Sequence, residues 1–162
     1  MDDVLKELES AHLNKDLYSK TLQRLKKKNS KKIDEQFQDS HNEVFNAINC
    51  LDCANCCKTT SPIFRDIDIK RISKHFRMKE GEFISSYLKM DEERDYVLKS
   101  SPCSFLGSDN KCDIYDVRPL ACREYPHTDR KNVHQVFDLT LKNAEICPAV
   151  NRILEQITLK NS

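Results

Sequence analysis

Four of the chain's eight cysteines fall inside eight residues, Cys50-Leu51-Asp52-Cys53-Ala54-Asn55-Cys56-Cys57. Thiolates are soft, high-affinity ligands, and C-x2-C spacing lets two sulfurs converge on one metal centre from a single turn. Whatever fold the chain adopts has to present this knuckle. It must also account for Cys103, Cys112, Cys122 and Cys147, which are spread singly over the C-terminal half.

The 162 residues suit one domain with an appended helical element. With 38% hydrophobic and 33% charged residues, apolar core material is thin, and bound metal is a common supplement to such a core. A net charge of +1 argues against a surface dedicated to nucleic acid or another polyanion. The N-terminus lacks the basic and apolar regions of a secretory signal, and no apolar run reaches membrane-spanning length. The expectation is a cytoplasmic chain, not bound to membranes, whose thiols stay reduced. Clustered cysteines then mean metal or catalysis more often than disulfides.

Helical periodicity runs over residues 3–28 through Val4, Leu5, Leu8, His12, Leu17, Tyr18, Leu22 and Leu25. A second helix carries Ile33, Phe37, His41, Val44, Phe45 and Ile48, with Asn29 or Ser30 as its cap. His12 and His41, on apolar faces, read as packing residues. The basic run at Lys26–Lys28, Lys31 and Lys32 has no interleaved aromatic residues and reads as a solvated helix junction. Beyond the knuckle, Pro62 marks an extended connector, and Asp66 or Asp68 caps a helix bearing Ile69, Ile72 and Phe76. Another helix carries Phe83, Ile84, Tyr87 and Leu88.

Tyr96–Lys99 reads as a strand, and so do Cys103–Leu106 and Lys111–Tyr115, the last two joined by the turn Gly107-Ser108-Asp109-Asn110. Asp116-Val117-Arg118-Pro119 starts a short helix, with proline near its first turn, that runs to about Glu124 and is stopped by Tyr125-Pro126. Alternation of Val133, Gln135, Phe137 and Leu139 suggests a strand, and Pro148 opens a last helix with Val150, Ile153, Leu154 and Ile157 inward. Gly81 and Gly107 are the only glycines, which excludes a glycine-rich phosphate loop. No Ser/His/Asp or Cys/His pairing points to hydrolysis.

Cys50, Cys53 and Cys56 match the way one loop holds three corners of an iron–sulfur cluster, and Cys147-Pro148 resembles the remote Cys-Pro that closes such a set. Structural zinc more often uses two separated C-x2-C pairs, and only one cysteine-dense knuckle stands here. The spacing therefore favours an iron–sulfur cluster or iron, with zinc as the alternative. Adjacent Cys56 and Cys57 diverge, so one faces a different centre or a different atom of the same cluster. Eight cysteines suffice for two four-cysteine sites.

The ordered pattern C-x2-C-x2-C-C, Pro102-Cys103-x-Phe105-Leu106, then Cys112-x-Ile114-Tyr115-x-x-Arg118-Pro119-x-x-Cys122-Arg123-x-Tyr125-Pro126, resembles the CxxCxxCC cysteine-cluster family of zinc- or iron-chelating domains. The resemblance runs from Cys50 to about Cys147-Pro148. Many members carry glycine after the second cysteine, where this chain has Ala54, so the turn is expected to differ slightly. The resemblance implies metal chelation through Cys50, Cys53, Cys56, Cys57, Cys103, Cys112, Cys122 and Cys147. The chain is also similar to the cysteine-rich part of bacterial flagellin lysine methylases, but no glycine motif for S-adenosylmethionine is visible.

Arg118 and Arg123 flank Cys122 and are placed to offset thiolate charge, although Arg118 paired with Asp113 or Asp116 is an equal reading. Tyr115 and Tyr125 are expected to bury their rings beside the sulfurs. His127 is the histidine nearest the motif, with an exposed loop position the plainer reading.

The expected fold is α+β and α-rich, with helices around a cysteine-bound metal site and a small β-hairpin. Residues 1–48 would form a helical N-terminal element and 49–160 the metal-binding domain. Three functions fit: an iron–sulfur or iron protein, a structural-zinc module for protein interaction, or a metalloenzyme related to protein lysine methylases. The partners expected are a metal ion or cluster and a protein met by the N-terminal helices.

Overall fold

The computed structural model describes residues 2–162. It is mostly helical, with one two-stranded antiparallel hairpin. Two compact units divide the chain: Met1–Cys53 with Pro126–Ser162, and Ala54–Tyr125. The boundary falls inside the cysteine knuckle, so Cys50 and Cys53 belong to the first unit and Cys56 and Cys57 to the second.

The first unit is helical. The long N-terminal periodicity resolves into α1 (Asp2–Leu13) and α2 (Lys15–Leu25), broken at Asn14. Asn14 turns its side-chain amide back to the Ser10 carbonyl at 3.0 Å. This local bond competes with helix continuation, as short polar amides do. α3 (Ser30–Ala47) is capped by Asn29, whose side chain accepts the Lys32 N–H at 3.2 Å. The one-turn α4 (Cys50–Cys53) follows.

The C-terminal portion supplies α9 (Phe137–Ala144) and α10 (Pro148–Lys160). α10 packs on α1, α2, α3 and α9. Val150, Ile153, Leu154 and Ile157 are all buried on α10, as are Leu22 and Leu25 on α2 and Ile33 and Phe37 on α3, the helices α10 packs against. A polar chain crosses the same unit: Tyr18 Oη donates to Asn151 Oδ1 at 2.8 Å, and Asn151 Nδ2 donates to Glu7 at 2.7 Å. Arg152 Nε closes it on the other Glu7 oxygen at 2.8 Å. Burial, reinforced by Glu155 and Glu7, pushes the Tyr18 hydroxyl up to about 12, so it remains a donor.

The strand suggested over 133–139 is a 3₁₀ turn at Val133–Val136 running into α9. The buried face of α9 is Phe137, Thr140, Asn143 and Ala144, a helical spacing carried largely by polar or small residues. Phe137 stacks on Phe37 with centroids 5.5 Å apart, while Leu139 is exposed. His12 is exposed and does not pack, whereas His41 is part-buried against Phe45 and Thr128.

The second unit begins with α5 (Asn55–Thr59), then α6 (Asp66–His75), α7 (Glu80–Tyr87), β1 (Leu88–Met90), β2 (Tyr96–Leu98) and α8 (Leu120–Glu124). β1 and β2 form the hairpin, with Leu88 opposite Leu98 and Met90 opposite Tyr96. The hairpin expected over 103–115 is a single bridge, Leu106 to Cys112. Its turn is closed by the Gly107 N–H donating to the Lys111 carbonyl at 2.8 Å. Close approach favours glycine there: a Cβ would stand 2.7 Å from the Asp109 carboxylate, which would have to turn aside, and 3.3 Å from the Lys111 carbonyl.

The core of this unit is aromatic. Phe105 lies against Phe76, Phe83 and Tyr87 with centroid separations of 5.7, 6.1 and 5.0 Å. Phe64, Ile69, Ile72, Leu88, Leu98 and Ile114 complete it.

Candidate metal centre

No disulfide joins any of the eight cysteines. In the first unit, Cys50 and Cys53 stand at the two ends of α4, and Cys147 is the N-cap of α10. Three residues apart on a helical turn puts the two side chains on one face. The backbone N–H groups of Val150 and Ala149 lie near the Cys147 sulfur and favour its thiolate, and the Val150 N–H donates to the Cys147 carbonyl at 3.1 Å. Burial pushes that thiol up to about 11 despite those donors, and negative charge on Cys50 and Cys53 adds to the rise.

The second unit holds Cys56 and Cys57 on α5, Cys103 and Cys112 on either side of the Gly107 turn, and Cys122 on α8. The Cys103 N–H donates to the Cys57 carbonyl at 2.8 Å. Across the turn, the Asp113 N–H donates to the Phe105 carbonyl at 2.8 Å. Backbone N–H groups of Phe105 and Leu106 near the Cys103 sulfur, and of Ile114 near the Cys112 sulfur, favour the thiolates, and the Leu106 N–H donates to the Cys103 carbonyl at 3.1 Å. Each of these donors lies two or three residues beyond its cysteine, as for Cys147.

Desolvation raises Cys103, Cys112 and Cys122, and the sulfurs raise one another: Cys122 rises in the fields of Cys57, Cys103 and Cys112, to about 12. Cys122 is nonetheless exposed by surface area, so it sits at a rim, crowded by sulfur and protein on one side and open on the other. Cys57 moves the opposite way, down to about 7, because the Cys56 thiol bonds to it. That bond brings the two neighbouring sulfurs together, where divergence was expected of consecutive side chains.

Arg118 lowers both Cys112 and Cys122 through its positive charge. Its guanidinium donates to the Tyr115 carbonyl at 2.9 Å and lies 3.8 Å from the centre of the Tyr115 ring. That contact replaces the ion pair with Asp113 or Asp116. Tyr115 is 55% exposed, so the buried ring expected there is instead a platform for the guanidinium. Tyr125 is half-buried and Arg123 exposed. His127 takes a left-handed backbone conformation in a half-buried loop of the first unit.

Arg71 was not singled out in the sequence, and Asp68 was read only as a candidate cap. Asp68 is fully buried on α6, and the cap of that helix is Arg65, whose N–H donates to Asp68 at 3.1 Å. Arg71 donates to Asp68 Oδ1 at 2.8 Å and to the Val117 and Arg118 carbonyls at 3.2 and 2.9 Å. The Leu120 N–H reaches Asp68 at 3.4 Å. Burial alone would raise the Asp68 pKa, but the bonds from Arg65, Arg71 and Leu120 win and hold the carboxyl well below the usual range. Asp68 and Arg71 thereby anchor residues 117–120, the segment leading into Cys122. The Asp-x-x-Arg spacing on a helical face was the available signal.

The donor chemistry fits a soft or borderline metal: clustered thiols, backbone N–H groups near sulfur, and a cation beside two of them. The sulfurs are not drawn into a coordination shell. Among the described residues, no group of three or more His, Cys, Asp or Glu side chains is set to hold an ion.

Fold and side chains together define an α-rich α+β protein with clustered thiols in each of two units. Residues 49–148 match the family model described as "CxxCxxCC: Putative zinc- or iron-chelating domain", and the chain belongs to that family. An uncharacterized protein of Methanocaldococcus jannaschii, MJ0661, is 31% identical over 85 residues. The matched stretch covers 51% of this chain and 46% of the relative, a little under half its length. No solved structure matches. No helix among the described residues is long and apolar enough to cross a membrane.

Ala54, where the resemblance led glycine to be expected, takes a left-handed backbone conformation. With φ 48° and ψ 19°, Ala54 occupies a region that glycine enters freely and a Cβ disfavours.

Proposed function

We propose that this chain binds iron, as ions or as an iron–sulfur cluster, through its cysteine thiolates, and that the process it serves is cytoplasmic. The observation that carries this reading is the gathering of Cys57, Cys103, Cys112 and Cys122 in one unit, with backbone N–H groups near Cys103, Cys112 and Cys147 that favour the thiolates. Such donors stabilise a thiolate over a thiol and lower the electron density at sulfur, which is how proteins tune iron–sulfur potentials. A neutral buried thiol has little use for two donors. When bound, the metal would supply a redox or Lewis-acid centre.

The residues themselves do three things. Cys50, Cys53, Cys57, Cys103, Cys112, Cys122 and Cys147 furnish sulfur, with Cys56 bonding to Cys57. Arg118 offsets negative charge beside Cys112 and Cys122, held over the Tyr115 ring. Asp68 and Arg71 fix the approach to α8. Raised thiols release protons on binding, so apparent affinity should climb with pH through the neutral and mildly alkaline range. The helices of residues 1–48, outside the family match, are the natural surface for a protein partner.

Zinc is the second reading, favoured by the four thiols Cys57, Cys103, Cys112 and Cys122, a common structural-zinc set. Anaerobic purification with counts of iron, zinc and acid-labile sulfide per chain decides. Visible absorption with iron present supports the first reading. A colourless protein that holds zinc and never takes up iron overturns it.

A further inference from the structure

We propose that the chain builds two separate thiolate centres, one within each unit. The second unit would hold a four-sulfur centre of Cys57, Cys103, Cys112 and Cys122. The first would hold a three-sulfur centre of Cys50, Cys53 and Cys147, with a remaining position open to a small neutral or cationic ligand. This rests on the metal-binding reading and deepens it.

Bonds within the second unit tie its set together. Cys57 and Cys103 share a backbone hydrogen bond, and the Leu106–Cys112 bridge fixes the two arms of the turn. Arg71 and Asp68 then pin residues 117–120 ahead of Cys122. Cys56 is the natural outsider. Its thiol bonds to Cys57, a role as donor to a ligating sulfur that leaves Cys57 to face the centre. Four sulfurs with no further donor needed is the pattern of a closed, structural site.

The first-unit set has three sulfurs, one short of a closed tetrahedron. α4 presents two of them one turn apart, and the third caps α10. A cleft of about 250 Å³ in this unit is lined by Cys53 and by Pro148, the neighbour of Cys147. Asp3, Glu7, Asp52 and Arg152 also line it. Arg152 is committed to Glu7, which leaves Asp3 and Asp52 to give the cleft a negative bias. Three protein ligands plus one exchangeable position is the arrangement of metal sites that bind or transform a ligand. A bias of this sign disfavours anions and admits neutral or cationic molecules. The knuckle's spacing thus serves two ends: its first two cysteines go to an open centre, its last to a closed one.

Cobalt(II) tests this on the full chain under anaerobic conditions, because thiolate-to-cobalt absorption reports sulfur ligation. Bound cobalt and visible spectra would be measured for the wild type, Cys122→Ser, Cys147→Ser and Cys50→Ser, with imidazole and azide as added ligands. The expected result is two equivalents in the wild type, with imidazole shifting the spectrum and azide not. Cys122→Ser should retain one equivalent that still responds to imidazole. Cys147→Ser and Cys50→Ser should each retain one that does not. Cys50 is exposed, so its replacement guards against misfolding caused by the buried Cys147. A single equivalent lost alike in Cys122→Ser and Cys50→Ser overturns the two-centre proposal and leaves metal binding standing. An imidazole response in Cys50→Ser equal to wild type overturns the open position. Failure of the wild type to bind cobalt or iron overturns the metal-binding reading itself.

Discussion

The two units solve the same problem with different materials. The first has long amphipathic helices, and its buried Phe37, Leu25, Ile33, Ile153, Leu154 and Ile157 form a conventional aliphatic core. Regular hydrogen bonding and apolar burial can account for its order without the cysteines. The second has an aromatic cluster around Phe83 and Phe105. From residue 99 to 125, however, its only regular elements are a 3₁₀ turn at Tyr115–Val117 and the five-residue α8. In that arm Cys103 and Cys112 stand outside any helix or strand, and Cys122 stands on the short α8. A chain can therefore own a cofactor-rich region and a self-sufficient one side by side, and the effect of metal should differ between them.

The comparison breaks first, if it is wrong, at the cores. Phe83→Ala removes a fully buried ring in contact with four others and should cost about 4 kcal/mol, and Ile153→Ala about 3 kcal/mol. Hydrogen exchange should show the first opening amides of residues 54–125 and the second opening those of α3 and α10. Equal opening of both regions by either variant would erase the distinction.

Asp68→Asn should cost roughly 3 kcal/mol, as expected when one member of a buried ion pair is removed. The sign of its pH dependence follows from a carboxyl depressed in the fold. Its contribution is present above the unfolded value near 4 and is lost as pH falls below that. The wild type should accordingly lose stability below about pH 4 in equilibrium melts, and Asp68→Asn should lose much less over that window.

Chelation sharpens the contrast further. Removing metal should speed exchange at amides near Cys103, Cys112 and Cys122 roughly a hundredfold, the effect of a ligand held at about 100 times its Kd. α3 and α10 should change by less than roughly tenfold. Uniform acceleration would make the metal a keystone of both units. The smallest effect is expected at the knuckle: Ala54→Gly should raise stability by about 1 kcal/mol by relieving the left-handed backbone, read as a shift in denaturant midpoint.

The sequence was most legible where burial is apolar and helical. The faces of α3 and α10 repeat hydrophobic residues at helical spacing, and Asn29 and Pro148 mark their starts. α9 was read as a strand because its inward face is Thr140, Asn143 and Ala144, which no hydrophobicity pattern detects. β1 is three residues long, too short to display alternation, and it directly follows a helix. Around the Gly107 turn, cysteines mimicked strand residues, yet only one bridge forms. The site divides the same way. Thiols announce themselves by spacing, and the charge near Cys122 was visible in Arg118. Backbone donors carry no side-chain label, and the Asp68–Arg71 anchor depends on partners about 50 residues away that no local pattern reveals.

Those backbone donors also govern how freely this chain could drift. An N–H near sulfur belongs to every residue type except proline, so the settings of Cys103, Cys112 and Cys147 do not depend on the identity of the residues that provide them. Leu106 and Ala149 are open to exchange on this account, limited by packing alone, while proline at either would strip a sulfur of a donor. A domain built this way keeps its metal chemistry in its peptide groups. Its recognisable signature then shrinks to the cysteines and a few turn residues, and distant relatives can share a site while sharing little else.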